Sequence, residues 1–301
     1  MTNNDISSTK PAPPVGGFTE IDGNRLFVHR SGSGGPAVVF LPGASAVGLD
    51  YFGVQQQVSQ FTSAVVYDRG GTGYSDPLPL PRTATAVATE LHQLLGTLDE
   101  LCGPYVLAAH SLGCLYAHRF AQLYPRQVAG LVWMDGLHRD WDEFMPPAMG
   151  LAAAAAPAPD AEQLEHLRTA LREMRAELLA DYPEPVRRAL TEAKTSDESI
   201  RAGFAERDGL PELAAELHAG PNLPDVPLVV LSVLGPDPYQ SPEALAEIHD
   251  GRRRMDAAVV RGVSQGQQRI LTDTVHHRLC FDRPDAVVEA IRDVIDQVRR
   301  R

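Results

Sequence analysis

The residues best suited to chemistry form the segment Ala109-His110-Ser111-Leu112-Gly113, in which a serine lies between two small residues. An apolar run typical of a buried strand precedes it, and a helical pattern follows. At such a tight strand-to-helix turn the serine hydroxyl is exposed, and the positions two before and two after it must be small. The N-terminus of the following helix favours a developing negative charge. The segment therefore predicts that Ser111 is a nucleophile. The alternative is an ordinary serine in a turn.

Short, continuous apolar runs predict the strands that must hold this turn. They span residues 37–41, 64–67, 105–109, 130–134 and 228–231. Such runs are typical of strands buried on both faces, as in a parallel sheet. Helical periodicity lies between most of them, and a predicted hairpin of residues 18–21 and 25–30 comes first. The pattern predicts an α/β fold, with a mostly parallel central sheet and helices on both faces.

Residues 138–222 interrupt this alternation and predict an all-helical insertion. Its clearest helix has Asp160 as N-cap and Gln163 three residues later, the signature of a capping box. An apolar stripe runs along that helix at Leu164, Leu167, Leu171, Met174 and Leu178. We interpret its individual members as packing residues and the block as a cap, inserted into a core of residues 15–137 and 223–301. Residues 1–14 are predicted to be a disordered tail rather than a signal peptide.

Composition excludes several classes of function. The chain has 301 residues, is 44% hydrophobic and carries a net charge of −12, which argues against nucleic-acid or anionic-membrane partners. No apolar stretch reaches the roughly 18 residues of a membrane span. The three cysteines lack metal-like spacing and favour a reducing compartment, the cytoplasm. The segment 32–37 mimics a dinucleotide fingerprint but leads into a strand. We expect a small-molecule substrate, no metal and no cofactor, and leave the oligomeric state open.

Two aspartates could assist a serine nucleophile, which needs a base and a carboxylate to orient that base. Asp135 directly closes the run 130–134, and Asp237 lies in the loop that follows residues 228–231. Both would lie at the edge of the sheet that carries Ser111, and their spacing does not separate them. We favour Asp135 because it directly follows its strand, and keep Asp237 as the alternative acid.

Acyl transfer also needs two donors for an oxyanion. The backbone N–H of Leu112, immediately after Ser111, is one candidate. The loop Pro42-Gly43-Ala44-Ser45 follows a predicted strand, and the N–H of Ala44 is the second candidate. The alternative for this loop is a simple glycine turn.

Over residues 18–299 the sequence resembles the α/β-hydrolase fold superfamily. The resemblance rests on AHSLG (residues 109–113), YDRGGTGYSD (67–76) and HHRLCFDRPDAVVEAI (276–291). The motif at residues 67–76 is common in family members with a helical cap. The resemblance implies that it has a structural role and shapes the loop beside the site. Similarity to a bacterial subgroup that uses the earlier acid supports Asp135. The sequence departs from the family pattern at Pro42, Ala109, Cys114 and His276, where histidine or glycine is usual.

The resemblance also implies the chain order serine, acid, histidine, with the histidine on a loop after the last strand. His276 and His277 follow a predicted strand at residues 268–271 and precede a terminal helix that begins near Pro284. We select His277 as the base and regard His276 as its neighbour. His110 is expected to point away from Ser111.

These inferences predict a carboxylesterase-like serine hydrolase with a Ser-His-Asp triad. Its substrate would be a small to medium hydrophobic ester, lactone, amide or thioester, cleaved through an acyl-enzyme. A serine in place of an aspartate argues against the dehalogenase and epoxide hydrolase branches. One alternative is another chemistry on the same scaffold, namely an acyltransferase, a C–C hydrolase, or a lyase or cyclase of a biosynthetic pathway. A less favoured alternative is a non-catalytic ligand-binding module.

Overall fold

One eight-stranded sheet organises the chain, in a computed structural model that describes residues 12–98, 101, 103–237 and 240–301. The strands are β1 (Gly17–Ile21), β2 (Asn24–Ser31), β3 (Val38–Leu41), β4 (Ala64–Tyr67), β5 (Tyr105–His110), β6 (Val128–Met134), β7 (Leu228–Val233) and β8 (Gly266–Leu271). Their order in the sheet is β1-β2-β4-β3-β5-β6-β7-β8. Only the β1–β2 and β2–β4 pairs are antiparallel among these eight. The predicted mostly parallel α/β sheet is confirmed.

Helices cover both faces of this sheet, as predicted. They are α1 (Phe52–Val58), α2 (Ala84–Gly96), α3 (Gly113–Leu123), α4 (Trp141–Phe144), α5 (Ala161–Leu178), α6 (Glu184–Lys194), α7 (Asp197–Asp208), α8 (Leu210–His218), α9 (Pro242–Arg261), α10 (Leu279–Asp282) and α11 (Pro284–Arg299). Apolar side chains of α2 and α3 pack on one face, and those of α1 and α11 pack on the other. The apolar runs were continuous because the central strands are buried on both sides.

Local sequence signals account for most of these elements. The capping box of α5 is present: Gln163 N–H donates to Asp160, and the Asp160 N–H donates back to the Gln163 side chain, both at 2.9 Å. Helix α9 was not predicted, although Ser241 caps it by accepting from the N–H of Ala244, and Pro242 in the first turn is a second helix-start signal.

Helices α4 to α8, with short 3₁₀ turns, fill the described segment between β6 and β7. Helix α7 touches the loop after β3, because a Cβ at Gly203 would overlap the side chain of Ser45. That residues 138–222 act as a cap stays a prediction. Residues 1–11 of the predicted tail lie outside the described residues. Within the described ranges, no helix is both long enough and apolar enough to cross a bilayer.

Candidate active site

Ser111 lies at the sharp turn between β5 and α3. Its φ of 52° is in the left-handed region, which a residue with a side chain adopts only under constraint. The constraint comes from close packing, because a Cβ at Gly113 would overlap the carbonyl oxygen of Leu41. The small residue predicted two positions after the serine is therefore a steric requirement of the turn.

Backbone strain concentrates around this turn. Among the described residues, the non-glycine positions with positive φ are Asp22, Ser45, Ser111 and Asp135. Asp22 belongs to the tight β1–β2 turn, whereas the other three surround the end of β5. Strained residues persist only where surrounding structure over-determines them, and they cluster at functional sites. The clustering supports a functional role for this edge of the sheet.

Asp135 directly follows β6 and binds a histidine. Its Oδ2 lies 2.5 Å from Nδ1 of His276. Asp135 is 3% exposed, and the N–H of Val233 donates to its Oδ1 at 2.9 Å. An arginine on α9, Arg252, also donates to that oxygen. The structure therefore places Asp135 against His276, while Asp237 influences His277 electrostatically.

The sequence favoured His277 as the base, but the histidine bound to Asp135 in the structure is its neighbour, His276. Both residues belong to a 3₁₀ turn, His276–Arg278. With three residues per turn, successive side chains diverge by roughly 120°, so only one of the two can face Asp135. His277 also lines the cavity beside Ser111 but is an exposed residue, and partial desolvation of its ring lowers its pKa.

The charge state of Asp135 determines which nitrogen of His276 carries the proton. Burial by itself would raise the pKa of Asp135, but the Arg252 guanidinium and the His276 hydrogen bond outweigh burial and lower it to about 2. An ionised carboxylate only accepts hydrogen bonds. Nδ1 of His276 is therefore the donor, which leaves a lone pair on Nε2 when the imidazole is neutral.

Arg252 is a functional candidate that sequence reasoning missed, because α9 was not predicted. Its guanidinium lies over the Trp141 ring, 5.1 Å from the centroid, and pairs with Asp135 in a buried environment. Removing one partner of a buried ion pair costs about 3–5 kcal/mol. We therefore expect Arg252→Met to lower the free energy of unfolding in urea by about that amount.

The matched control for this prediction is Arg253→Met, the next residue of α9. The Arg253 side chain is 52% exposed and lies 4.0 Å from Asp250, so its loss should change stability by less than about 0.5 kcal/mol. Arg252→Lys should recover part of the loss by keeping the charge. Equal unfolding free energies for Arg252→Met and Arg253→Met would contradict a stabilising role for the Asp135 pair.

His110 faces the site rather than away from it, so that expectation was wrong. Its ring stacks on His276, with centroids 4.7 Å apart. Its Nδ1 lies 2.9 Å from the hydroxyl of Tyr51. Burial, together with the nearby His276, lowers the pKa of His110 to about 3. His110 is therefore a neutral ring that supports the histidine bound to Asp135.

The loop after β3 lies against Ser111. A Cβ at Gly43 would be 3.0 Å from the Cβ of Ser111, a distance tighter than ordinary contact. The N–H of Gly43 donates to the Tyr51 hydroxyl at 3.2 Å. Within the described part of the chain, the backbone N–H groups of Ala44 and Leu112 have no hydrogen-bond acceptor. These two predicted oxyanion donors are therefore available.

A buried arginine holds this loop in place. Arg69 donates to the carbonyl oxygens of Pro42 at 2.5 Å and Gly43 at 3.0 Å. Its guanidinium also pairs at 2.5 Å with Glu206 of α7, and Glu206 accepts the N–H of Ser45 at 2.9 Å. The segment 67–76 thus has a structural effect, because its arginine fixes the direction of the loop that carries Ala44.

Cys114 occupies the position next to the elbow where glycine is usual. Its Sγ lies 3.1 Å from the carbonyl oxygen of Ala109, and burial raises its pKa well above the ordinary value. Room for the thiol comes from Gly136, where a Cβ would overlap the sulfur. The buried thiol is protonated and lies below the turn, so it does not compete with Ser111 as a nucleophile.

One cavity of about 590 Å³ joins these groups, with Ser111, His110 and His276 in its wall. The opposite wall includes four members of the α5 stripe: Leu167, Leu171, Met174 and Leu178. Of the stripe, only Leu164 is fully buried. The packing interpretation was therefore wrong for the other four, which face the cavity. In the part of the chain that the structure describes, no cluster of three potential ligands could hold a metal ion.

Comparison with known proteins identifies the scaffold. Residues 38–290 match the alpha/beta hydrolase family. The chain belongs to that family. One relative is "Putative carbamate hydrolase RutD" of Cronobacter turicensis, which is 38% identical to this chain over 104 residues. The match covers 34% of this chain and 38% of the relative. "Uncharacterized protein YbdG" of Bacillus subtilis is 29% identical over 40% of this chain and 37% of its own length. The chain thus matches little more than a third of either relative.

Solved structures share this α/β-hydrolase fold over nearly the whole chain. Cfl2 from Burkholderia cenocepacia superimposes with a TM-score of 0.70 at 21% identity, over 92% of this chain and 94% of that one. A thermophilic esterase from Thermogutta terrifontis gives a TM-score of 0.60 at 21% identity, over 93% and 97%. At such identities the likeness concerns the fold.

Proposed function

We propose that this α/β-hydrolase cleaves a carboxylic ester, lactone, amide or thioester through an acyl-enzyme formed on Ser111. The observation that carries the proposal is the joint placement of Ser111 and His276 in one cavity, with His276 bound at 2.5 Å to the buried carboxylate of Asp135. Nucleophile, base and orienting acid are then supplied by three adjacent loops at one edge of the sheet. This arrangement supports the proposal, because a catalytic triad is recognised by the geometry and roles of its residues rather than by their sequence positions.

His276 acts as the proton carrier in this proposal. Because Asp135 engages Nδ1, Nε2 accepts the Ser111 proton as Oγ attacks the carbonyl carbon, and returns it to the leaving group. Water then attacks the acyl-enzyme while Nε2 of His276 takes its proton. That proton returns to Oγ of Ser111 as the acid product leaves. Within the described residues the Ser111 hydroxyl has no hydrogen-bond partner. Catalytic hydrogen bonds of this kind commonly tighten only in the complex with substrate.

The oxyanion of each tetrahedral intermediate would be bound by the N–H groups of Ala44 and Leu112. Both donors are rigidly held: Leu112 begins the turn into α3, and the loop of Ala44 is fixed by Arg69. Preorganised donors of this type lower the barrier because they need no reorientation as charge develops. We propose that helices α5 to α7 serve as the cap and form the far wall of the acyl or leaving-group pocket.

The proposal is tested with a serine-reactive fluorophosphonate. We expect the folded protein to take up one phosphonyl group per chain, located on Ser111 by mass spectrometry. We also expect a burst of nitrophenol from 4-nitrophenyl pentanoate before steady-state turnover. Denatured protein is the negative control, because phosphonylation requires the activated hydroxyl.

Two outcomes would overturn the proposal. Folded protein that resists the reagent has no activated Ser111, as expected of a ligand-binding module. Labelling of Ser111 with rapid transfer of the acyl group to an added alcohol, and none to water, would identify an acyltransferase.

A further inference from the structure

The charges in the cavity wall do not cancel. Four side chains of permanent charge line it: Asp50, Arg175, Lys194 and Arg207, which are one carboxylate and three cations. Two acids adjoin Arg207 in sequence: Glu206 is already engaged by Arg69 and the N–H of Ser45, and Asp208 is exposed. The wall therefore carries an excess of positive charge inside a chain whose net charge is −12.

Asp50 is shared between two of these cations. Its Oδ1 accepts from Arg175 at 2.8 Å, and its Oδ2 lies 3.5 Å from Nζ of Lys194 while accepting the N–H of Val47 at 2.9 Å. The side chain of Lys194 is only 6% exposed. An ammonium has three donors, and the ion pair that Lys194 makes among the described residues is this long one with Asp50. The Lys194 side chain also lines the cavity.

Arg207 is the third cation and is half-buried. Its guanidinium donates to the carbonyl oxygen of Gly203 at 2.8 Å and makes no ion pair among the described residues, although Glu206 acts on it electrostatically. Burial lowers the pKa of Arg207 and also that of Lys194, an effect that Asp50 opposes. Both shifts express the cost of holding a cation away from water without sufficient negative charge nearby.

Both cations are close to the oxyanion loop. Arg207 bonds to Gly203, which packs against Ser45, the residue after Ala44. Lys194 reaches Asp50, which is bonded to Val47 of the same loop region. A ligand whose carbonyl oxygen meets the N–H of Ala44 would therefore extend toward these side chains. The same cavity wall also contains apolar side chains such as Leu171, Met174 and Phe204.

We propose that Lys194 and Arg207 form a subsite for a carboxylate carried by the substrate. This proposal rests on the hydrolase function proposed above and narrows the substrate to an ester, amide or thioester with a carboxylate beyond a short apolar spacer. The planar guanidinium matches a carboxylate geometrically, and the ammonium adds a point charge. The sequence analysis expected a hydrophobic substrate. Under this proposal the substrate has an apolar spacer and a charged end.

Two esters of matched size test the subsite, mono-4-nitrophenyl glutarate and 4-nitrophenyl pentanoate. We expect kcat/KM to favour the charged ester by at least about tenfold at low salt, with the preference falling as salt is added. Lys194→Met and Arg207→Met should each lower kcat/KM for the charged ester by at least about tenfold, mainly through KM. The neutral ester should lose much less, so that the ratio of kcat/KM for the charged ester to kcat/KM for the neutral ester falls in both variants.

Arg188→Met is the matched control, because it removes an exposed positive charge from α6 without touching the cavity. It should leave both substrates unaffected. If wild-type protein and all variants cleave the two esters equally well, the subsite is refuted while the serine mechanism stands.

A binding measurement makes the test independent of turnover. Calorimetric titration with glutarate should give a dissociation constant at least about tenfold lower for wild-type protein than for Lys194→Met or Arg207→Met. Glutarate binding that is equal in all proteins, or undetectable in the wild type, overturns the subsite whatever the catalytic outcome. Glutarate selectivity in a protein that resists fluorophosphonate would support the subsite and refute the proposed hydrolysis.

Discussion

Ser111→Ala is expected to lower kcat for ester hydrolysis by about 10⁴-fold or more, because the covalent route is removed while the oxyanion donors remain. The Ser111 hydroxyl has no hydrogen-bond partner in the described structure, so its loss should leave the thermal midpoint of unfolding almost unchanged. Steady-state hydrolysis of 4-nitrophenyl pentanoate and a thermal melt on the same preparation measure both effects.

Ser199→Ala is the matched control, since Ser199 also lines the cavity but lies on α7. This variant should retain fluorophosphonate labelling, whereas Ser111→Ala should lose it. Turnover by Ser111→Ala near the wild-type rate would mean that water, rather than a serine oxygen, attacks the substrate, and the acyl-enzyme mechanism would be wrong.

The paired variants His276→Ala and His277→Ala should differ sharply. Loss of His276 removes the group bound to Asp135, and we expect kcat to fall by about 10³-fold or more. Loss of His277 removes an exposed neighbour and should lower kcat by less than about tenfold. The measurement is kcat/KM for the neutral ester, together with the rate of fluorophosphonate labelling.

This pair is informative because the two residues are adjacent in one 3₁₀ turn and have the same chemistry. Global effects of losing an imidazole should therefore be similar in the two variants. A large loss in His277→Ala with a small one in His276→Ala would reverse the assignment of the base. Equal large losses would indicate that the turn itself, rather than one ring, is required.

Much of the scaffold could be predicted because its signals are local. A buried strand produces a continuous apolar run, and a tight turn between strand and helix demands a small residue such as Gly113. The capping box of α5 joins residues three apart, so it too can be recognised in the sequence. Local signals also predicted where the candidate site residues lie in the fold. These are Ser111 at the turn, Asp135 at the end of its strand, and the proposed oxyanion donors Ala44 and Leu112.

Other features depend on contacts between distant residues, which leave no periodic signal. His276 and His277 are equivalent in sequence, and the direction of one 3₁₀ turn toward Asp135 separates them. Arg252 reaches Asp135 from a helix more than a hundred residues further along the chain. The apolar stripe of α5 has the same spacing whether it packs or lines a cavity. Helix periodicity reveals that a face is apolar but leaves open what covers it.

The sequence alone determined that Ser111 lies at a tight strand-to-helix turn of a mostly parallel α/β sheet, because steric and hydrophobic demands act between near neighbours. The tertiary structure decided which histidine faces the acid and what kind of surface faces the serine. Electrostatics explains the second point. A net charge of −12 describes the chain as a whole. The cavity wall, by contrast, contains three cations, Lys194, Arg207 and Arg175, and one carboxylate, Asp50. Charge interactions depend on separation in space, which only the folded chain defines.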